Sequence, residues 1–211
     1  MPTISVWWED IGVIGELCKV FHTWETVTIE LSRKDALLNY IIRATRVEDA
    51  AQLRAFNIRW AAEHPHIDAP DDPDIVERKS LENLKQMIAT LGTRPNSLHM
   101  VALTADDAQI IGMVVLRGEL ETQDTTVSLY VDQAWRSAGI GQALLEHAIR
   151  WARAVETIRH MTLHVYESNT VAVQLYEKLG FVHEKRHDRA YYQNGQYVAM
   201  LQMGLSFVTN N

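Results

Sequence analysis

A strand that leads through a two-glycine turn into an amphipathic helix constrains the fold of this 211-residue chain more than any other feature. Residues 126–131 are rich in β-branched and apolar side chains, as strands are. From residue 139 to residue 154, apolar positions such as Ile140, Leu144 and Ala148 recur with the 3.6-residue period of a helix. A further strand pattern follows at 161–166. A helix that connects two such strands predicts a crossover between parallel strands, and therefore a mixed α/β fold.

Strand and helix patterns continue in both directions and predict the element order β-α-α-β-β-β-α-β-α-β-β. Further strands are expected at 40–45, 98–104 and 109–116, with two final strands that begin near Phe181 and Gln196 and meet at the Asn194-Gly195 turn. The other helices are expected at 48–63, at roughly 73–91 and at 170–179. Residues 40–211 are therefore predicted to form one domain.

Residues 1–39 are predicted to be an N-terminal extension, and the sequence does not reveal its role. Residues 26–31 alternate in the manner of a strand. Trp7, Trp8, Phe21 and Trp24 are too apolar for a disordered tail and indicate packing against the domain or a partner. The apolar extension and the terminal strands are compatible with a homodimer.

Charge and cysteine content exclude several classes of protein. The formal net charge is −7, whereas domains that bind nucleic acid through its phosphates are usually basic, so no nucleic-acid partner is expected. Cys18 is the single cysteine, which excludes an internal disulfide and fits a reducing compartment. The chain has no apolar run of the ~18 residues that a membrane span needs, and Glu9, Asp10 and Glu16 do not fit a signal peptide. We expect a cytoplasmic protein with no membrane partner.

The turn before the predicted helix at 139–154 is suited to bind an anion. The first turn of a helix carries unpaired N–H groups and a partial positive charge. Gly139 and Gly141 lack Cβ atoms where a phosphate would approach the backbone. A Walker loop is excluded because Gln142 follows Gly141, and a dinucleotide fingerprint would need a third glycine. A tight turn without a ligand is the other interpretation of the same residues.

Two motifs make the chain resemble the GNAT superfamily of acyl-CoA-dependent N-acetyltransferases. Arg136-x-x-Gly139-x-Gly141 resembles the first signature of that superfamily, Arg/Gln-x-x-Gly-x-Gly/Ala. The segment from Asn169 through Tyr176 to Gly180-Phe181 resembles the second, Asn-x-x-Ala-x-x-x-Tyr-x-x-x-Gly-Phe. The resemblance covers about residues 40–207. It implies a central pair of strands that splay apart, and acetyl-CoA as the cosubstrate.

The resemblance also implies roles for individual residues. The pyrophosphate of coenzyme A would bind N–H groups in the run Arg136, Ser137, Ala138, Gly139, Ile140, Gly141 and Gln142. The pantetheine arm would pair with backbone groups of Leu129 and Val131. Tyr176 matches the tyrosine that protonates the departing thiolate, and a phenol with a reference pKa of ~10 is protonated at neutral pH. Asn169 is either a helix N-cap or a cofactor contact.

The general base is left open by the sequence. The strand at 127–131 contains no carboxylate, so Glu119, Glu121 or a backbone carbonyl with an ordered water are the candidates. No metal site is expected, because the histidines show no ligand spacing. On the helix that carries Tyr176, we expect Val171, Leu175 and Leu179 to face the core, which would leave the tyrosine hydroxyl directed at a ligand.

The acceptor is expected to be a small primary amine such as an amino acid or a polyamine. The connector after the first helix contains four aspartates, Asp68, Asp71, Asp72 and Asp74. They either belong to a solvated loop or attract a cationic amine. The segment after Gly180 resembles the branch of the superfamily that acetylates free amino acids and related amines. A catalytically silent CoA-binding sensor of the same fold is the alternative, and an unrelated nucleotide-binding domain is a third interpretation.

Overall fold

An eight-stranded sheet forms the centre of the computed structural model, which describes residues 27–33, 36–63, 80–118, 123–193 and 195–207. The strands are β1 (Val27–Arg33), β2 (Ala36–Ala44), β3 (Leu98–Thr104), β4 (Ile110–Gly118), β5 (Asp124–Val131), β6 (His160–Tyr166), β7 (Val182–Gln193) and β8 (Gln196–Ser206). Their order in the sheet is β1-β2-β3-β4-β5-β6-β8-β7. The helices are α1 (Ala50–Glu63), α2 (Leu81–Thr93), α3 (Ile140–Ala154) and α4 (Thr170–Lys178). None of these helices is both long and apolar enough to cross a membrane.

The predicted mixed α/β fold is confirmed, with one strand more than the predicted order. The candidate strand at 26–31 is β1, which pairs with β2 in antiparallel register from Val27 to Arg33. The strand predicted at 40–45 begins earlier, at Ala36. Sequence patterning misses this earlier start because a β-hairpin is stabilised by pairing with its partner strand as well as by its own side chains. The boundary of the domain at residue 40 stays a prediction, and residues 1–26 lie outside the described part.

Two hydrophobic cores lie on opposite faces of the sheet. Successive side chains of a strand point to opposite faces, and on β3 Met100 and Ala102 belong to one core while Val101 and Leu103 belong to the other. α3 and α4 cover the first face, and α1 and α2 cover the second. The second core reaches no further along the sheet than Tyr130 of β5.

Helix boundaries follow local capping. Ser80 accepts a hydrogen bond from the N–H of Asn83 at 3.3 Å and starts α2, while the predicted first turns of that helix lie outside the described residues. A 3₁₀ turn, Val47–Asp49, precedes α1. Gly180 follows α4 with φ of +91°, as the sequence predicts for a C-cap.

The predicted core face of α4 is wrong by one position at its start. Val171 is 74% exposed, whereas Ala172 and Val173 pack against the core together with Tyr176. Leu179 also packs there, as expected. The apolar residues of a short helix surround much of its circumference, so its periodicity alone does not determine which side meets the sheet.

The predicted splay of the central strands is confirmed. β5 and β6 are the one parallel pair in the described sheet, and they pair from Asp124 with His160 only as far as Val127 with Leu163. Beyond that point, β5 continues with β4 to Val131 and β6 continues with β8 to Tyr166. The two strands therefore part and leave a V-shaped opening in the sheet, here called the strand opening.

Candidate functional site

The edge of β5 at the strand opening has backbone groups that pair with no other strand. The N–H of Asp132 donates to the carbonyl of Ile111 on β4 at 3.0 Å. Because backbone groups alternate between the two edges of a strand, Tyr130 and Ser128 also pair towards β4, and Leu129 and Val131 turn towards the opening. The backbone groups predicted to pair with pantetheine are therefore the ones directed into the gap.

The N-terminus of α3 follows directly and presents consecutive free donors. Gly139 is its N-cap, with φ of +82° and no capping side chain, and Ser137 also has a positive φ, of 61°. The N–H of Ala143 is the first to bond within the helix, to the carbonyl of Gly139 at 3.0 Å. Among the described residues, the N–H groups of 137–142 have no hydrogen-bond partner. Such a row of donors at a helix N-terminus is suited to bind a phosphate or pyrophosphate, and binding here stays a prediction.

The N–H of Arg136 differs from the others in this run. It donates to the carbonyl of Gln133 at 3.3 Å, within a 3₁₀ turn that Asp132 caps. The Arg136 guanidinium donates to the Val131 carbonyl at 3.2 Å and to Glu63, the last residue of α1, at 2.5 Å. Both the backbone donor and the side chain of Arg136 thus bind the protein itself in this structure.

Gly141 borders the strand opening. A Cβ atom on Gly141 would lie 3.5 Å from Val131, 3.7 Å from Leu129 and 3.9 Å from Leu175, all ordinary contacts. Protein packing therefore does not require a glycine here. The space between β5 and α4 that the absent side chain leaves is available to a ligand that runs along β5.

Lys178 was not identified from the sequence. Its Nζ donates to the side-chain oxygen of Gln142 at 3.0 Å, which brings a cation from the end of α4 to the beginning of α3. Gln142 in turn donates to Glu146 at 2.8 Å. The sequence contains no local signal for this contact, because 36 residues separate Lys178 from Gln142.

Tyr176 belongs to the core on the sheet face that α3 and α4 cover. It is 8% exposed, and its ring centroid is 6.0 Å from that of Phe181. Burial, with a smaller contribution from the Tyr130 phenol, raises the pKa of Tyr176 to about 12. Its hydroxyl is therefore protonated throughout the neutral range. Asn169 caps α4 by accepting the N–H of Ala172 at 3.3 Å, as expected of an N-cap, and a cofactor contact by Asn169 stays a prediction.

A cavity of about 180 Å³ lies between α1, α2 and the sheet. Apolar and aromatic side chains form most of its described lining, namely Leu53, Trp60, Leu84, Met87, Met113, Val115 and Tyr130. Asn57, His99 and Arg117 are the polar residues among them. Tyr130 belongs to the splayed part of β5, so the cavity adjoins the strand opening from the face opposite to α3 and α4.

His164 stands across the opening from Ser128. It is the first residue of β6 beyond the last β5–β6 pair. The hydroxyls of Thr126 and Thr162 lie 3.5 Å apart on one face of the sheet, so alternation places Ser128 and His164 on that same face. His164 is exposed and lines an open depression of about 460 Å³. No local pattern in the sequence singles out His164, because its position depends on where β6 leaves β5.

The remaining predicted site residues lie outside the part of the chain that the structure describes. They are Glu119 and Glu121, as well as Asp68, Asp71, Asp72 and Asp74. Within the described ranges, no group of three or more His, Cys, Asp or Glu side chains is placed to hold a metal ion.

Comparison with known families shows one match over most of this region. The model of the Acetyltransferase (GNAT) family matches residues 54–181, more than half of the 211 residues. The matched part includes the splayed strands, the N-terminus of α3 and Tyr176.

Curated relatives share part of their length with this chain. An N-alpha-acetyltransferase from Sulfurisphaera tokodaii is 32% identical over 43% of this chain and 60% of its own. Peptidyl-lysine N-acetyltransferase YjaB from Salmonella typhimurium is 36% identical over 41% of this chain and 52% of its own. L-amino acid N-acetyltransferase AaaT from Escherichia coli is 25% identical over 51% of this chain and 67% of its own. The chain thus spans little more than half the length of the first two relatives, and the three names give three different acceptors.

Solved structures share the fold over almost their whole length. An acetyltransferase of the GNAT family from Streptococcus pneumoniae has a TM-score of 0.71 and 27% identity, covering 79% of this chain and 99% of that one. RimL, a ribosomal L7/L12 alpha-N-protein acetyltransferase in complex with coenzyme A, has a TM-score of 0.63 and 15% identity, covering 79% and 93%. At that identity, the likeness to RimL concerns the fold alone.

Proposed function

Because the chain belongs to the GNAT acetyltransferase family, we propose that it transfers an acetyl group from acetyl-CoA to the primary amine of a small molecule. Acetyltransferases of this family use acetyl-CoA, so the predicted cosubstrate is confirmed at the level of the family. The observation that carries the proposal is the convergence at the strand opening. Free N–H groups of α3 and the edge of β5 that pairs with no other strand border it, and the Tyr130 phenol of β5 contributes to the raised pKa of the buried Tyr176.

The donor would be held by backbone groups. Residues 137–142 would bind the pyrophosphate through N–H groups, with the positive end of the α3 dipole favouring its charge. Leu129 and Val131 would pair with the amides of the pantetheine arm. The Val131 carbonyl accepts a bond from Arg136 in this structure, so its pairing with pantetheine would require the guanidinium to move. Lys178 would add a cation at the edge of the same site.

When bound, acetyl-CoA supplies an activated thioester. Tyr176 would donate its phenolic proton to the sulfur that leaves, and its raised pKa keeps that proton in place at neutral pH. The acceptor amine must lose a proton before or during its attack. His164 would take that proton, since imidazole is the commonest general base in proteins and this one stands at the strand opening.

The cavity supports a small acceptor. Its volume of about 180 Å³ is below the ~300–1,000 Å³ of pockets for drug-sized ligands, and it lies beside α1 and α2 with one side open to solvent. A protein N-terminus or a lysine within a folded protein would need an open groove instead. The cytoplasmic location and the homodimer expected from the sequence stay predictions.

Release of free thiol from acetyl-CoA, measured over a panel of amines, amino acids and short peptides, tests the proposal. Turnover should depend on the added amine. Tyr176→Phe should lower kcat by at least ~10-fold, since general acid catalysis contributes ~100-fold or more. Tyr197→Phe, at an exposed tyrosine of the β7–β8 hairpin, is the matched control and should keep full activity. If coenzyme A binds and no amine is acetylated, the silent sensor is favoured and the transferase proposal is wrong.

His164→Gln tests the base in the same assay. Activity should fall ~10- to 100-fold near pH 7, and the deficit should shrink as pH rises, because more of the acceptor amine is then already deprotonated. A merely structural role would lower activity by a constant factor at every pH, and that result would exclude His164 as the base.

A further inference from the structure

The cavity under α1 and α2 adjoins the strand opening through Tyr130 of β5. Tyr130 lines the cavity, and its phenol contributes to the raised pKa of Tyr176 on the other side of the sheet. Ser128, two residues earlier on β5, marks the closed end of the strand opening, because the β5–β6 pairing ends at Val127. A molecule bound in the cavity would therefore contact Tyr130 at the end that adjoins the strand opening.

Arg117 is the one charged side chain among the described residues that line this cavity. His99 is the only other titratable group besides Tyr130, and burial, aided by the charge of Arg117, lowers the pKa of His99 to about 4. Its Nδ1 also lies 2.5 Å from the hydroxyl of Thr45. At neutral pH the histidine is uncharged. The described lining thus carries a net positive charge. Such a charge repels the cationic form of an amine acceptor.

Arg117 has donors to spare. Arg117 is exposed at the rim of the cavity, its Nη1 donates to the Ser128 hydroxyl at 3.3 Å, and among the described residues no carboxylate forms an ion pair with it. A guanidinium has five N–H donors in a planar fork that matches a carboxylate. By contrast, Arg43, Arg59 and Arg136 each pair with an aspartate or glutamate. The bond to Ser128 brings the Arg117 guanidinium to the closed end of the strand opening.

We infer that the acceptor carries a carboxylate close to its amino group, and that Arg117 binds this carboxylate. This rests on the proposed acetyl transfer. Leu53, Trp60 and Met113 line the cavity, so an α-amino acid with an apolar side chain is the simplest molecule of this kind. The same charge repels polyamines, which present only cationic groups. Of the acceptors predicted from the sequence, the cavity favours the amino acid.

Matched pairs of acceptors test this inference. Leucine, methionine and phenylalanine are each compared with their carboxamides, and spermidine is added as a polycation. The protein should prefer each acid over its amide by at least ~10-fold in kcat/KM, because hydrogen bonds to charged groups contribute ~1.5–3 kcal/mol, or ~10- to 100-fold. Equal use of acids and amides, or a preference for spermidine, would overturn the inference while leaving the acetyl transfer intact.

Arg117→Gln removes the charge and retains a donor for Ser128. It should lower kcat/KM for the acids ~10- to 100-fold and change that for the amides less than ~3-fold. Arg54→Gln, at an exposed arginine of α1 outside the cavity lining, is the matched control and should change neither. A fall of equal size for acids and amides would mean that Arg117 only maintains the structure, and the inference would be wrong.

Equilibrium binding separates failure of this inference from failure of the proposed transfer. Calorimetry with the protein saturated with coenzyme A should show tighter binding of each acid than of its amide, and Arg117→Gln should abolish the difference. That result supports the carboxylate site even if no acetyl group is transferred. Absence of a difference between acid and amide in the unmodified protein would overturn it, whatever the thiol assay shows.

Discussion

Polar groups at β2 and at the strand opening differ in whether they have hydrogen-bond partners within the protein. At β2, Arg43 is buried at 5% exposure and donates to both carboxylate oxygens of Asp49, at 2.6 and 2.9 Å, and to Asp107 at 2.9 Å. Asp49 also accepts the N–H of Arg46 at 2.7 Å. At the opening, by contrast, the N–H groups of 137–142 have no partner in the described structure.

Polar groups that are bound to other protein groups stabilise the fold. Polar groups without a protein partner are available to a ligand. A buried charge without a partner costs several kcal/mol, so a scaffold must satisfy its own ions. Donors at an exposed helix end are hydrated, and they can exchange water for phosphate at little cost. We therefore expect substitutions in the first region to change the free energy of unfolding, and substitutions in the second to change coenzyme A binding.

The largest expected effect is on stability, from Asp49→Asn. Removing one partner of a buried pair leaves an uncompensated charge, and Arg43 would keep only Asp107, so the free energy of unfolding should fall by about 3 kcal/mol. Urea unfolding followed by circular dichroism measures this. Asp107→Asn is the matched control, since Asp107 is half-exposed and its loss should cost less than ~1 kcal/mol. Equal losses from the two variants would contradict the comparison.

The same pair predicts a dependence on pH. Burial alone would raise the pKa of Asp49, but hydrogen bonds from Arg43 and from the N–H of Arg46 outweigh it, and the pKa is lowered. A lowered carboxyl pKa contributes stability that is fully present above the unfolded value of ~3.9 and is lost as pH falls through the folded value. The unmodified protein and Asp49→Asn should therefore converge in stability in acid. A constant difference down to pH ~2 would mean that the charge is not the cause.

A smaller effect of the opposite kind is expected from Gly141→Ala. The added Cβ meets only ordinary contacts and alanine is the better helix former, so stability should rise by up to ~1 kcal/mol. The same atom enters the space beside β5, and affinity for coenzyme A, measured by calorimetry, should fall ~10-fold. Gly92→Ala, within α2 with nothing near its Cβ, should raise stability without affecting coenzyme A. Unchanged affinity in Gly141→Ala would show that Gly141 does not border bound coenzyme A.

The smallest expected effect is that of Lys178→Gln. An exposed charge contributes ~0.2–1 kcal/mol, so affinity for coenzyme A should fall about 2- to 5-fold, and the difference should disappear at high salt. Lys85→Gln, an exposed lysine of α2, is the control for net charge. A salt-independent loss, or the same loss in the control, would show that Lys178 does not face the ligand.

Local features of the site were predictable because each depends on neighbours in the chain. Gly139 lies where the strand turns into α3, as the sequence patterns predict, and Asn169 caps α4, which is one of the two roles that the sequence left open. Val171 was placed in the core and is exposed, because a nine-residue helix with apolar residues on several sides does not define its own orientation. That orientation depends on the sheet beneath it.

The sequence by itself indicated the order of the elements from β2 onward and the glycine turn before α3, and its resemblance to the acetyltransferase family indicated Tyr176 as the candidate acid. Only the tertiary structure decided which polar side chains meet, because those contacts join distant segments. Glu63 and Arg136 are 73 residues apart in sequence, and Arg117 reaches Ser128 through the register of β4 and β5. His164 stands at the opening because β6 leaves β5 after Leu163. Strand pairing and register are long-range properties, and no local pattern specifies the point where two strands part.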